Sequence, residues 1–416
     1  MKSLQKILPF FLLLITWKSV EQWMSFKIFL GGYWIEHILQ SLFLVFLVSY
    51  YSQNLSAREK TPFQFKLYYT IVFIETIYGV YMARGYQDFQ LMVTNVINCS
   101  FGLTWFYFQV PQNVSNVTAR WCKFSIPLFF CLVLFMDGEA VGRFFAPFAF
   151  LLFFFPYLEK KWKVRTLVVV VFVLLFGALG ARSSVLRFAI AMVFALAIYL
   201  HKIIPKVLIK VVAIILFVAP VVLFVLGLTG QFNIFKLQEE MGWNDVEVTN
   251  SFDAKDTENL GEDTRTFLYV EELQSAVGND YVFWGRSLSR GYDSQIIDGT
   301  DWLPGRNERW SSEVRILNVF NHMGLIGVVI VGLLYSCAAF NAVFRGKSFG
   351  MHLIGLYVSY RWLYAWVEDF ERYDLINLYL WIPIVMCYSP KFLNMTDSDL
   401  KIWVQNIFKN KNTCLK

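Results

Sequence analysis

Two arginines, Arg182 and Arg187, interrupt an apolar run in "GALGARSSVLRF". A charge at membrane depth is expensive and needs a partner. The guanidinium suits phosphate, because its planar fork donates two parallel hydrogen bonds and it stays protonated. The pair is thus a candidate phosphate grip; a structural ion pair, or arginines reaching the headgroups of ordinary lipid, would also explain it. A second set lies in one long polar segment: Arg265, then Arg286 and Arg290 in "FWGRSLSRGYDS", then Arg306, Arg309 and Arg315. So many guanidiniums in one stretch point to an anionic ligand. Asp293, Asp298, Asp301, Glu308 and Glu313 could instead neutralise them pairwise.

Carboxylates supply the complementary chemistry. In "RWSSEVRILNVFNHMGLIG" (309–327) a polar end runs into an apolar stretch, with Glu313 about one turn above it. Partial burial there would raise the carboxyl pKa and suit Glu313 to general-base work. The alternative is an ion pair with Arg309, four residues earlier on the same helix face. His322 lies deeper in that stretch and reads as hydrogen-bonded to a neighbouring helix. Glu75, inside an apolar run, and Glu139, near the end of another, leave a proton- or ion-coupled transport reading open. The cluster Glu368/Asp369/Glu371 could take a divalent cation, but its spacing does not separate a site from a charged loop. Six cysteines form no CxxC pair and four histidines are scattered, so neither zinc nor a disulfide framework is expected. No cofactor and no metal is expected.

The elements that must position these residues follow from composition. Of 416 residues, 57% are apolar and 16% charged, against roughly 45–50% and about 25% in soluble domains. Aromatics make up 19%, with 42 phenylalanines, more than one soluble core could hide. A disordered chain, a secreted disulfide scaffold and a cytosolic enzyme are excluded. The net charge of +6 reads as basic residues on cytoplasmic loops, not as a nucleic-acid surface. Apolar stretches near 4–17, 36–52, 67–83, 89–110, 124–137, 144–158, 166–181, 187–200, 211–228, 316–340, 351–367 and 373–389 predict an all-α polytopic membrane protein with about twelve transmembrane helices. Even-numbered breaks are basic and odd-numbered ones acidic or mixed, which puts both termini in the cytoplasm.

Three regions follow: helices 1–9 over 1–228, an external segment over 229–315, and helices 10–12 with a cytoplasmic tail over 316–416. A structureless loop of the external segment's length is unusual, so a small, mostly helical cap is expected. Its first part, 231–263, has two lysines against nine acids, and its second part is arginine-rich. Between them "DTRTFLYVEELQSAV" predicts an amphipathic helix from Asp263 and Thr264, with Phe267, Val270, Leu273 and Val277 on its apolar face.

Three stretches, "GARSSVLRFAIAMVFALAIYL", "TRTFLYVEEL…DYVFWGRSLSRGY" and "SSEVRILNVFNHMGLIG", together with many short spans and one large segment before the third-last span, resemble the O-antigen polymerase and O-antigen ligase superfamily over roughly 175–335. The resemblance implies a metal-independent membrane glycosyltransferase of the bacterial cytoplasmic membrane. Its donor and acceptor would be oligosaccharides on undecaprenyl diphosphate, and a flippase and a chain-length regulator would be its protein partners. Arg182 falls at the family's first arginine and Arg265 at that of the external segment. Where ligases carry His-Asn eleven residues before the glycine, this chain has Glu313-Val314 before Gly324; that departure favours a polymerase over a ligase. The implied catalytic set is Arg182, Arg265 and Glu313. Arg187, Arg286, Arg290 and Arg309 would be further anion contacts. Trp284, Tyr292, Trp302 or Trp310 would stack on sugar. A lipid-linked oligosaccharide flippase or a secondary transporter is the reading from another class.

Overall fold

The computed structural model describes residues 2–25, 32–53, 60–177, 182–229, 247–249, 257–259, 265–295 and 306–409. The side chains of 2–5, 51, 53, 182, 247–249 and 257–259 fall outside that description, as do Asp263, Thr264, Trp302 and most of the acidic stretch 231–263. The chain is all-α. Its main helices are α1 (Lys2–Val20), α2 (Tyr33–Gln53), α3 (Phe63–Met82), α4 (Tyr86–Cys99), α5 (Pro111–Leu132), α6 (Gly138–Phe144), α7 (Ala146–Phe153), α8 (Lys160–Phe176), α9 (Arg182–Tyr199), α10 (Lys206–Leu228), α11 (Thr266–Gly278), α12 (Arg315–Phe340), α13 (Phe349–Tyr364), α14 (Leu375–Tyr388) and α15 (Asp397–Asn406). Two antiparallel pairs complete it: β1 (Glu247–Thr249) with β2 (Thr257–Asn259), and β3 (Tyr292–Asp293) with β4 (Glu308–Arg309).

Burial sorts these helices into a centre and a rim. Every residue of α14 is buried, because α7, α12 and α13 surround it. On α10 the buried residues are Ile209, Ala213 and Pro220, while Val207, Leu208, Val211, Ile215 and Val218 stand exposed. The outward faces of α3 (Phe73, Ile77, Tyr81) and α8 (Leu167, Val168, Leu175) are equally apolar. Such continuous apolar rims belong in lipid. Among the described residues four helices are long and apolar enough to cross a membrane, at Tyr33–Tyr50, Pro111–Phe135, Lys206–Leu228 and Arg315–Arg345. This is a membrane protein.

Several expected boundaries move, for physical reasons. The expected span 124–137 belongs to α5, which starts at Pro111, its first-turn proline. The polar residues that hid it from a hydropathy reading face protein: Asn113 donates to the Tyr107 carbonyl at 2.8 Å, Thr118 meets the Tyr379 hydroxyl at 3.3 Å, and Ser125 meets Thr16 at 3.3 Å. The expected span 144–158 falls on the short helix α7 and a 3-10 turn at Phe155–Tyr157, and a break at Phe145, ahead of Pro147, separates it from α6. Side-chain caps start α13 (Ser348), α14 (Asp374) and α15 (Thr396).

The described part of the 229–315 segment is not mostly helical. It has one helix, α11, followed by turns and the short β3–β4 ladder. The expected apolar face of α11 is also rotated. Val270 and Val277 are exposed, and the buried face is Leu268, Glu271, Glu272, Ser275 and Ala276. The segment is stitched into a break in α12. At Gly324 the backbone takes φ 62° and ψ −162°, a region essentially reserved for glycine. The amides of Leu325 and Ile326, freed by the break, donate to the Val282 and Phe283 carbonyls at 2.9 and 3.3 Å. Arg286 N–H donates to the Asn321 carbonyl at 2.6 Å. A side chain at Gly324 would collide with the Phe283 carbonyl, and one at Gly285 (φ +82°) with the Met323 and Gly324 amides.

Candidate functional site

The end of the bundle that carries the 265–315 segment gathers most of the buried charge. Four pieces meet there: α6, the first turns of α9, the last turn of α13, and the loop 365–374 leading into α14. Arg143, Arg187, Arg361 and Arg372 line one cleft with Ser183, Tyr364, Glu368, Asp369 and Asp374. Arg143 is spent: it pairs with Glu139 at 2.8 Å and Asp374 at 3.6 Å, and stacks on Trp23 at 3.8 Å. Arg372 reaches Asp369 at 3.9 Å.

Arg187 and Arg361 differ. Neither has a carboxylate partner among the described residues. Arg187 is half-buried and makes one hydrogen bond, to the Gly142 carbonyl at 3.4 Å; its enclosed Nε has no partner. Arg361 is 4% exposed, and its Nε and Nη2 are buried without a partner. Its guanidinium lies 4.0 Å over Phe370 and 5.4 Å from the Tyr364 ring. Position eases the strain: Arg361 sits in the last turn of α13, where the helix dipole favours a cation. Unmet donors of this kind are costly, and two around one space make an anion site. Both arginines also line a second, narrow cavity of about 40 Å³ that continues into the bundle between Phe150, Phe153, Ala191, Ile354 and Tyr379. A cationic mouth thus opens on an apolar interior.

The carboxylates beside it go to separate arginines, so the acidic trio Glu368/Asp369/Glu371 does not converge. Glu368 meets Arg265 at 3.3 Å, Asp369 meets Arg372, and Glu371 meets Arg315 at 3.1 Å. Partial burial pushes the Glu368 carboxyl above the ordinary range, against the pull of Arg265. Burial also raises Glu371, opposed by Arg315.

The expected site residues distribute unevenly. Arg265 caps the start of α11 and donates from Nε to the Val367 carbonyl at 2.7 Å. Its Nη2 reaches Glu313 at 3.8 Å as well as Glu368, so Arg265 and Glu313 do meet. Glu313 is not the buried carboxyl expected from its spacing. It precedes α12, which starts at Arg315, and its side chain is 65% exposed. It does not share a helix face with Arg309, which lies in β4 with its guanidinium 5.6 Å from Phe267. The side chain of Arg182 lies outside the described residues, and its backbone opens α9.

The anion-contact expectation for Arg286 and Arg290 gives way to pairing. Arg286 meets Asp293 at 2.7 Å and Glu308 at 3.6 Å. Arg290 forms a buried two-point pair with Glu308, Nε to Oε2 at 3.1 Å with Nη2 to Oε1 beside it. Arg306 clamps Asp88 through 3.1 and 2.6 Å bonds. Trp284 is exposed, but Tyr292 is 1% exposed and has no face for a sugar. Glu139 is held by Arg143. Glu75 is buried in α3 with Oε2 unpartnered and borders neither cavity of the arginine pair. His322 accepts from Asn95 at 3.2 Å, a bond to a neighbouring helix.

Two residues of the site escaped the sequence reading: Arg361 and, as more than one of an acidic trio, Glu368. The signal for Arg361 was present. It is a lone arginine in "YVSYRWLYAW", the same interruption of an apolar run that singled out Arg187. Set against family models, curated proteins and solved structures, the chain matches none.

Proposed function

We propose that this protein is a bacterial membrane glycosyltransferase that polymerises oligosaccharide units carried on undecaprenyl diphosphate. The observation that carries the reading is the pair Arg187 and Arg361, two guanidiniums without carboxylate partners among the described residues, at the mouth of an apolar cavity. A diphosphate joined to a polyprenyl chain matches the chemistry of both walls, cationic at the mouth and apolar beyond it. Its oxygens take the unmet N–H donors, and the first isoprene units follow the apolar wall. In the proposed topology about twelve helices cross the cytoplasmic membrane, both termini are cytoplasmic, and this end of the bundle faces the outer leaflet. The alternation of basic and acidic breaks along the sequence supports it.

The transfer is then a displacement at the anomeric carbon. An acceptor hydroxyl forms the new C–O bond while the bond from that carbon to the diphosphate oxygen breaks, its electron pair leaving on the diphosphate. Arg187 and Arg361 face the charge that grows there. The hydroxyl proton goes to a carboxylate. Glu368 is the better candidate, since it lines the same cleft and its raised pKa suits a base. Glu313 shares Arg265 with it from the exposed side. Attack opposite the diphosphate inverts the anomeric configuration.

The test is genetic and chemical together. Cells carrying Arg361→Gln at normal protein level should lose high-molecular-weight polymer and accumulate single units on the polyprenyl carrier. Unchanged polymer in Arg187→Gln and Arg361→Gln cells would overturn the reading. Long chains accumulating on the carrier would point to the ligase reaction in its place.

A further inference from the structure

A polar chamber of about 430 Å³ adjoins the arginine cleft, between α1, α2, α4, α12 and the loop 369–374. Arg143, Asp369, Arg372 and Asp374 border both spaces. Its volume falls within the roughly 300–1,000 Å³ of sites for single small ligands. Every charged side chain on its wall is already paired. Lys18 bridges Glu21 and Glu36, Arg143 meets Asp374, Arg372 meets Asp369, and Glu371 meets Arg315. An ionic ligand would have to break one of these pairs, which the chamber gives no reason to do.

What the wall has to spare is neutral. Asn98 is half-buried and its side chain makes no hydrogen bond among the described residues. His322 is 5% exposed; with Nε2 taken by Asn95, its buried Nδ1 has no partner. Trp23 is as deeply buried and its indole N–H is likewise unmet. Trp310 adds a half-buried indole to the wall. Neutral amides, an imidazole and indoles together match a hydroxyl-bearing ring, which offers both hydrogen-bonding edges and an apolar C–H face. Buried polar groups seldom stay unpaired.

We infer that this chamber is the acceptor subsite, holding the terminal uncharged sugar of the acceptor so that its hydroxyl reaches the arginine cleft past Asp369 and Asp374. This rests on the function proposed above, and it adds a ligand class and residues of its own. Asn98, His322, Trp23 and Trp310 act here as acceptor contacts, and none of them touches the diphosphate.

The test uses the full chain in lipid nanodiscs and two separate probes. One is undecaprenyl diphosphate without sugar. The other is the free oligosaccharide released by mild acid from the carrier lipid of the cells that make this protein. Binding of each is measured for wild type, Asn98→Trp, which fills the chamber, Trp310→Ala, which empties part of its wall, and Arg361→Gln. Both chamber variants should weaken oligosaccharide binding roughly tenfold or more, a loss of about 1.4 kcal/mol, and leave undecaprenyl diphosphate binding at the wild-type value. Arg361→Gln should do the reverse. Oligosaccharide affinity unchanged in both chamber variants, or absent in a wild type that binds undecaprenyl diphosphate, overturns the subsite. Oligosaccharide binding that the chamber variants weaken, with no undecaprenyl diphosphate binding by wild type, upholds the chamber and removes the diphosphate reading instead.

Discussion

The arginines of the 265–315 segment and those at the end of the bundle look alike in the sequence and differ in the fold. Arg286, Arg290 and Arg306 each hold a carboxylate, and Asp293, Glu308 and Asp88 absorb their charge. These pairs fasten the segment: Arg306–Asp88 ties it to the start of α4, and Arg290–Glu308 locks β4 against the turn after α11. Among the described residues Arg187 and Arg361 hold none. A paired guanidinium is committed to structure, while an unpaired one is available to a ligand that brings its own negative charge. Counting arginines therefore says little until their partners are known.

Removing the unpaired set should have the largest effect on activity. A hydrogen bond to a charged group is worth roughly 1.5–3 kcal/mol, or about tenfold to a hundredfold per guanidinium. The double variant Arg187→Gln/Arg361→Gln should lower polymer formation in washed membranes by roughly a hundredfold or more, with little change in melting temperature. A large fall in melting temperature with activity retained per folded molecule would reverse the contrast drawn above.

The paired set should behave the opposite way. Arg290→Gln removes the two-point partner of Glu308, whose side chain is 3% exposed and keeps only the longer contacts to Arg286 at 3.6 Å and Arg306 at 3.9 Å; breaking a buried pair from one side costs up to about 3–5 kcal/mol. Thermal unfolding should fall sharply. The double variant Arg290→Gln/Glu308→Gln should recover much of the loss, because no charge is left alone. Activity per folded molecule should stay within a few-fold of wild type in both. An equal fall in the double variant would mean that the stabilisation comes from packing.

Arg265 sits between the two regions, joining α11 to Glu368 and Glu313. Its charge pulls the Glu368 carboxyl down against burial. Arg265→Gln removes that pull, so Glu368 should stay protonated to higher pH. A base must be deprotonated, so the acid limb of the activity profile should move to higher pH, and Glu368→Gln should abolish that limb. A limb that stays put in Arg265→Gln and disappears in Glu313→Gln would make Glu313 the base.

How much of this could be read from residues alone follows the same division. Composition identifies helices and lipid, and the exposed apolar rims of α3, α8 and α10 agree with it. Arg187 was legible because a charge in an apolar run is conspicuous in one dimension. Arg361 carries that signal too, but the residue that it faces is 174 positions away, so no local pattern joins the two. Pairing is equally long-range: Arg306 finds Asp88 at a separation of 218 residues, and no helical spacing could foretell it. The i, i+4 rule misled at Arg309 and Glu313 because it presumes a helix that starts only at Arg315. The face of α11 was misread because two glutamates are buried on it, held by partners on the turns that follow: Ser294 Oγ and the Gln295 amide donate to Glu271, and the Tyr281 hydroxyl to Glu272. The Gly324 break was visible only as a small residue; what requires it is the Phe283 carbonyl that fills the gap.

Glu272 is the exception among the paired charges, and it gives the smallest and cleanest test. It is fully buried on α11, forms no ion pair among the described residues, and keeps one oxygen without a partner. Burial drives its carboxyl well above the ordinary range, against a hydrogen bond from the Tyr281 hydroxyl at 3.4 Å and the more distant charge of Arg286. The folded protein therefore holds the proton more tightly than the unfolded chain. Such a group contributes its full stability below the unfolded value, about 4.3 for a glutamate, and loses it as pH rises through the folded value. Glu272→Gln keeps a neutral side chain of the same shape and removes that loss. The variant should melt with wild type near pH 4 and above it at pH 8, as thermal unfolding followed across that range will read. If Glu272→Gln instead melts lower than wild type at pH 8, the carboxylate is ionised and paired, and the segment then neutralises all of its buried charge with none left over.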